Sequence, residues 1–214
     1  MVIGRPASER IDGPAGALEI VVEAPESATA RGVVVVAHPH PLMGGTMDNK
    51  VVHTLVRAFV ASGWVAARFN FRGVGGSDGA WDEGRGEIDD LLAVLGHVRT
   101  DPRWRSLPMG LAGFSFGGYV AASAAERLLA QGQTVSPLVL VSPATTRFSV
   151  PAVPAHTLVV EGELDDVVPL DSILAWARPQ GLPVTVVPGA GHFFHGQLGT
   201  LKQLVLTHLR AAAQ

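Results

Sequence analysis

Three residues of this 214-residue chain are of the types, and in the places, that serine chemistry needs. The first is Ser115, inside Gly113-Phe114-Ser115-Phe116-Gly117. This G-x-S-x-G pattern follows an apolar run, Met109 to Ala112, and opens a small-residue helix predicted over Phe116 to Ala130. A serine at such a junction sits on a sharp turn, its hydroxyl raised above the sheet and the N-terminus of the next helix beneath it. So tight a turn presses its neighbours against strand and helix, where a Cβ would clash, and this explains both glycines. The pattern alone is only moderately specific, and the plain alternative is a glycine-rich strand-to-helix loop. Context has to decide.

Strand and helix patterns alternate around it. Ala17 to Glu23 and Gly32 to His38 read as strands, the second containing Val33-Val34-Val35-Val36, a run suited to burial on both faces. Val51, Val52, Leu55, Val56, Phe59 and Val60 recur at helical spacing between Met47 and Ser62, and Gly63 stops that helix. A strand is expected over Trp64 to Asn70 and a helix over Glu87 to Arg99. Beyond the strand Met109 to Phe114 and its helix come strands Leu138 to Val141 and Thr157 to Glu161, helix Leu170 to Arg178, strand Val184 to Val187 and a last helix from about Gln197 to Leu209. This alternation predicts an α/β fold, a parallel sheet with helices on both faces, and length and composition make one domain over residues 1–214 the expectation.

In such a sheet reactive groups gather at the carboxyl ends of strands. Gly162-Glu163-Leu164-Asp165-Asp166-Val167-Val168-Pro169 follows one of them and Pro188-Gly189-Ala190-Gly191-His192 the next. The chain order is therefore Ser115, Asp165, His192, and three separate elements agree on one chemistry.

Composition narrows the setting. Net charge is −3 and Lys and Arg form no cluster, so no nucleic-acid footprint is present. With no cysteine, disulfides, thiolate metal sites and a cysteine nucleophile are all excluded. Met1-Val2-Ile3-Gly4-Arg5-Pro6 lacks a signal pattern and no apolar run approaches a membrane span, so a cytoplasmic protein that binds no membrane is expected. Only Lys50 and Lys202 among 16 basic residues are lysine, which points to a GC-rich bacterial genome.

The chain resembles the α/β-hydrolase superfamily along nearly its whole length. The resemblance is carried by the turn Phe71-Arg72-Gly73-Val74-Gly75-Gly76-Ser77, the elbow at Ser115, the Gly162-x-x-Asp165-x-Val167-Val168-Pro169 turn and the Gly189-x-Gly191-His192 turn, all in family order. The stretch from His38 to Lys50, His-Pro-His-Pro-Leu-Met-Gly-Gly-Thr-Met-Asp-Asn-Lys, is similar to a small, lidless bacterial subgroup of serine hydrolases near the dienelactone-hydrolase-like branch. The resemblance implies two-step acyl transfer, with Ser115 as nucleophile, His192 as general base and acid, and Asp165 orienting the imidazole. Asp166 and Glu163 compete with Asp165, which matches the family turn; His195 competes with His192 but stands where a capping or surface histidine is ordinary.

One oxyanion donor is expected from the backbone N–H of Phe116, the residue after the nucleophile. The second should follow the strand ending at His38. Pro39 and Pro41 have no N–H, which leaves His40 as the first donor and Leu42 as the alternative. The pair His38-x-His40 also admits a metal reading, with His192 or Asp165 completing the site; it leaves the elbow unexplained and its usual barrel scaffold is larger than this chain, so no metal or cofactor is expected. The glycines from Gly73 to Gly79 do not form a dinucleotide fingerprint, and Trp64, Trp81, Trp104 and Trp176 read as packing residues.

Pro143, Pro151 and Pro154 break any helix between Ser142 and His156, where many relatives insert a cap, so no cap domain is expected. An open apolar rim of Leu42, Met43, Phe116, Phe193 and Phe148 suits a small-molecule acyl ester; thioesters and lactones share its chemistry. Two function classes stand at this point: a carboxylesterase-type serine hydrolase, and a catalytically silent binding module on the same fold. The oligomeric state is left open.

Overall fold

The valine run sets the centre of the molecule. In the computed structural model, which describes residues 7–26 and 29–211, the strand Gly32–Ala37 (β3) is buried along its whole length. Its side chains alternate: Val33 and Val35 enter one hydrophobic cluster, Val34 and Val36 the other. Residues 1–6, where no signal pattern was read, lie outside the described residues.

Glu9–Gly13 (β1) and Gly16–Glu23 (β2) precede it; Trp64–Phe69 (β4), Met109–Phe114 (β5), Val135–Val141 (β6), Leu158–Gly162 (β7) and Val184–Val187 (β8) follow. They form one sheet in the order β1-β2-β4-β3-β5-β6-β7-β8. From β4 to β8 every pairing is parallel, and β1 and β2 are antiparallel to their neighbours. Lys50–Ala61 (α1) and Leu198–Ala211 (α5) cover one face, and Arg85–Val98 (α2) and Phe116–Ala130 (α3) the other. Leu170–Ala177 (α4) packs on β7 and β8 with a smaller cluster of Val159, Ile173 and Leu182. This is the α/β-hydrolase fold, and residues 142–157 between β6 and β7 contain no helix.

One whole strand and two element starts, each by three residues, differ most from expectation. β1 was not foreseen: Ile11 is its one buried residue, so it shows no periodicity, and its place comes from antiparallel pairing with β2. α1 starts at Lys50 rather than Met47, because the Asn49 side chain accepts the Val51 N–H at 2.8 Å and caps the helix there. β6 starts three residues earlier than Leu138, with Pro137 inside it at a register irregularity opposite Met109–Leu111.

Register aligns the carboxyl ends. Ala37 lies opposite Gly113, Phe114 opposite Val141, and Gly162 opposite Val187, so the loops after β3, β5, β6, β7 and β8 emerge at one edge. The turn after β4 is fixed to α2 by Arg72, whose guanidinium meets Asp90 Oδ1 at 2.8 Å while its backbone N–H donates to Asp90 Oδ2 at 3.0 Å. The Asp90 side chain is wholly buried. Removing it leaves a guanidinium without its partner, so Asp90→Ala is expected to lower the unfolding free energy by about 3–5 kcal/mol. Urea denaturation checks this; a loss below about 1 kcal/mol contradicts it.

Candidate active site

β5 ends at Phe114 and α3 begins at Phe116, leaving Ser115 alone at the junction with φ 56° and ψ −118°. A non-glycine residue holds such a backbone only where its surroundings over-determine it, at a cost on the order of 1–3 kcal/mol. Here the Ser115 N–H donates to the Val141 carbonyl at 2.9 Å, and its carbonyl accepts from the amides of Gly118 at 2.9 Å and Ala144 at 3.2 Å. The two flanking glycines are required by contact. A Cβ on Gly113 would lie 2.0 Å from the Gly117 carbonyl oxygen, and one on Gly117 2.3 Å from that of Ala37.

The turn after β7 carries Asp165 and the turn after β8 carries His192, both buried. Asp165 Oδ2 is 2.7 Å from His192 Nδ1, and His192 Nε2 is 3.1 Å from Ser115 Oγ. The amides of Val167 and Val168 donate to Asp165 Oδ1 at 2.9 and 2.7 Å. Burial opposes the charge on Asp165, but hydrogen bonds from His192 and Val168 outweigh it and hold the carboxyl below its ordinary range. An ionised carboxylate only accepts, so Nδ1 carries the imidazole proton and Nε2 offers its lone pair to the serine hydroxyl. The competitors are elsewhere. Asp166 is exposed, Glu163 accepts the Gly189 N–H at 2.7 Å, and His195 is exposed with its ring against Phe193.

Two amides beside this site are left unused. Those of Phe116 and His40 have no acceptor among the described residues, and both residues line the cavity beside Ser115. Leu42, the alternative donor, spends its N–H on His40 Nδ1 at 3.2 Å. Burial, with the Arg147 charge nearby, lowers the pKa of His40, which favours the neutral ring that this acceptor role needs. The ring rests on Trp81 at 4.6 Å and Phe116 at 5.2 Å between centroids, so Trp81 packs beside the site.

The cavity holds about 290 Å³, with Met43, Phe116, Phe148, Val168 and Phe193 supplying apolar wall. Leu42 is a correction: it is 67% exposed and does not line the cavity, because the 3₁₀ turn Pro41–Met43, anchored by His40, leaves its side chain in solvent. Asn49, Thr146 and Arg147 reach the wall and were not foreseen. A charged residue in a connector with no cap was the available signal for Arg147.

Residues 28–170 match the family described as "Serine aminopeptidase, S33". The chain belongs to this family of α/β hydrolases. It is similar in structure to an α/β serine hydrolase homologue from Coxiella burnetii, at 39% identity and TM-score 0.83, covering 98% of this chain and all of that one. It is also similar to an α/β serine hydrolase without lid from Xanthomonas campestris, at 34% identity and TM-score 0.87, covering 99% of this chain and 96% of the other. An uncharacterized protein of Rickettsia prowazekii is 30% identical over 198 aligned positions, the match covering 86% of this chain and 80% of that one.

In this α/β hydrolase the other half of the H-x-H pair is a strut. His38 is wholly buried; its Nδ1–H donates to the Pro39 carbonyl at 2.6 Å and its Nε2 accepts the Phe71 N–H at 3.1 Å. Both ring nitrogens are thus spent on the backbone, and among the described residues no group of three His, Cys, Asp or Glu could hold a metal ion. No helix there is long and apolar enough to cross a membrane. Burial pushes His38 down to about 3. The unfolded chain, with an imidazole near 6.5, therefore binds a proton that the folded chain refuses, and this contribution to stability is complete above pH about 6.5 and is lost as pH falls towards 3. Ring-nitrogen NMR should find His38 neutral from pH 5 to 8; protonation within that window contradicts the assignment.

Proposed function

We propose that this protein is a serine hydrolase of carboxylesterase type, cleaving small acyl esters through an acyl-enzyme on Ser115. The observation that carries the reading is the unbroken chain from Asp165 Oδ2 through His192 to Ser115 Oγ, with steps of 2.7 and 3.1 Å, ending beside two unused amides. A silent binding module has no use for such a chain.

In the reaction, Ser115 Oγ attacks the acyl carbonyl carbon as its proton passes to His192 Nε2. The negative charge that develops on the carbonyl oxygen is received by the amides of Phe116 and His40. Collapse breaks the carbon–oxygen bond to the alcohol, which leaves with the proton from His192. Water then gives its proton to the same nitrogen and attacks the acyl group, and the carboxylic acid departs as Ser115 recovers its hydrogen. Asp165 keeps the imidazole in one tautomer and stabilises its cationic form. Each step runs on these residues, without a metal or cofactor.

A cavity of about 290 Å³ walled by Met43, Phe148 and Phe193 fits a short or small aromatic acyl group better than a long lipid chain. Thioesters and lactones present the same carbonyl.

Hydrolysis of p-nitrophenyl esters of increasing chain length tests both parts. Asp165→Asn and His192→Ala are expected to lower kcat by roughly 10³-fold or more, whereas Asp166→Asn and His195→Ala stay within about tenfold of the parent. Acetate and butyrate esters should turn over faster than chains of about ten carbons. Equal activity in the Asp165 and His192 variants, or a preference for the long chains, contradicts the reading. Activity that EDTA abolishes and zinc restores does so too.

A further inference from the structure

One ionisable side chain beside Asp165 is left unused by acyl transfer. Glu161 stands near the end of β7, four residues before Asp165, and has no solvent exposure. Its Oε1 accepts from Ser142 Oγ at 3.0 Å and from the Gly162 N–H at 3.0 Å. Its Oε2 is buried and meets no donor among the described residues. The Asp165 carboxylate is near enough to reinforce burial in raising the pKa of this group. If both carboxylates were ionised, two like charges would be buried side by side, and Oε2 would meet no donor among the described residues. A single proton on Oε2 removes both problems, since the orphan oxygen becomes a donor and Asp165 is the acceptor within reach.

The proton's position follows from the neighbours. Asp165 receives the amides of Val167 and Val168 and the Nδ1–H of His192, all favouring its charge. Glu161 receives only a hydroxyl and its neighbour's amide. The hydroxyl is itself costly to place: Ser142 is fully buried with φ 42°, a strained backbone for a serine, at the carboxyl end of β6. Occupying Oε1 in this way directs the proton to Oε2.

We propose that Glu161 is a positioning residue of the hydrolytic site: as a neutral carboxylic acid it donates its Oε2–H to the Asp165 carboxylate, extending the chain to Glu161–Asp165–His192–Ser115. The inference about catalysis rests on the hydrolase reading above; the protonation of Glu161 does not. The acid restrains Asp165 against rotation, and so holds the imidazole that Asp165 orients.

The chain is sensitive to alkali. Burial, reinforced by Asp165, pushes Glu161 up to about 9. Asp165 faces it directly, and His192 stands on the far side of Asp165. Ser142, just after β6, is uncharged and β8 carries no titratable side chain. Asp171 on α4 and Lys202, His208 and Arg210 on α5 reach solvent, as do Glu163 and Asp166. Above pH about 9 the donor becomes a second carboxylate against Asp165, and the alignment is lost.

The test is the pH dependence of kcat for p-nitrophenyl acetate with wild type, Glu161→Gln and Glu161→Ala, beside infrared difference spectra of wild type against Glu161→Gln. Glutamine keeps an N–H donor for Asp165 and an oxygen for Ser142 but cannot titrate. Wild type should lose kcat above pH about 9. The Gln variant should keep kcat within about threefold and lose the alkaline fall, while the Ala variant should lose at least tenfold in kcat with KM within about twofold. A carboxylic-acid C=O band should be present in wild type at pH 7 and absent from the Gln variant. An alkaline fall that persists in Glu161→Gln, an Ala variant with wild-type kcat, or no acid band at pH 7 overturns the proposal. If Glu161→Ala does not fold, the Gln profile and the band still decide. A wild type that hydrolyses no ester instead overturns the hydrolase reading, and the band alone then rules on the proton.

Discussion

The strained backbone at Ser115 is the constraint on which the rest depends. Its φ of 56° lifts the hydroxyl off the sheet edge, and it persists only because β5, α3 and the strand ends around it leave no alternative. The close approaches at Gly113 and Gly117 measure that confinement: Gly117 is packed against the Ala37 carbonyl of β3, so the central strand itself sets the height of the elbow. The hydrogen bond from the Ser115 N–H to Val141 ties the same residue to β6. A change that loosens β3 or β6 therefore acts on the serine without touching it.

Topology turns that single point into a site. Because β3, β5, β6, β7 and β8 run parallel, their following loops leave the sheet at one edge, where His40, Ser115, Ser142, Asp165 and His192 come together from five loops far apart in sequence. The N-terminus of α3 lies under Ser115 and adds its partial positive charge where the oxyanion would form. Burial does the electrostatic sorting. It keeps His38 neutral as a strut and opposes the charge on Glu161, whereas Asp165 stays ionised because three N–H groups converge on it.

Much of this arrangement is readable in the sequence because it rests on local rules. The alternating fates of Val33 to Val36 follow from strand periodicity, and Gly113 and Gly117 follow from the sterics of the turn they flank. What escapes is non-local. β1 has one buried residue and is defined by its partner strand. The side chain of Leu42 is turned outward by a 3₁₀ turn that an imidazole nitrogen caps, which apolarity cannot disclose. That same cap separates Leu42 from His40 as an amide donor, an alternative that counting prolines leaves open. Glu161 reads as a charge at a strand end; its burial and its hydrogen bond from Ser142 exist only after β6 and β7 pair.

The central claim is that Ser115 is the atom that bonds to the acyl group, and covalent trapping tests it most directly. After incubation with a fluorophosphonate, mass spectrometry of the digested protein should find one adduct, on the peptide carrying Ser115, with loss of esterase activity in proportion to labelling and no adduct in Ser115→Ala. An adduct on another residue that survives Ser115→Ala, or full esterase activity in that variant, would contradict the account.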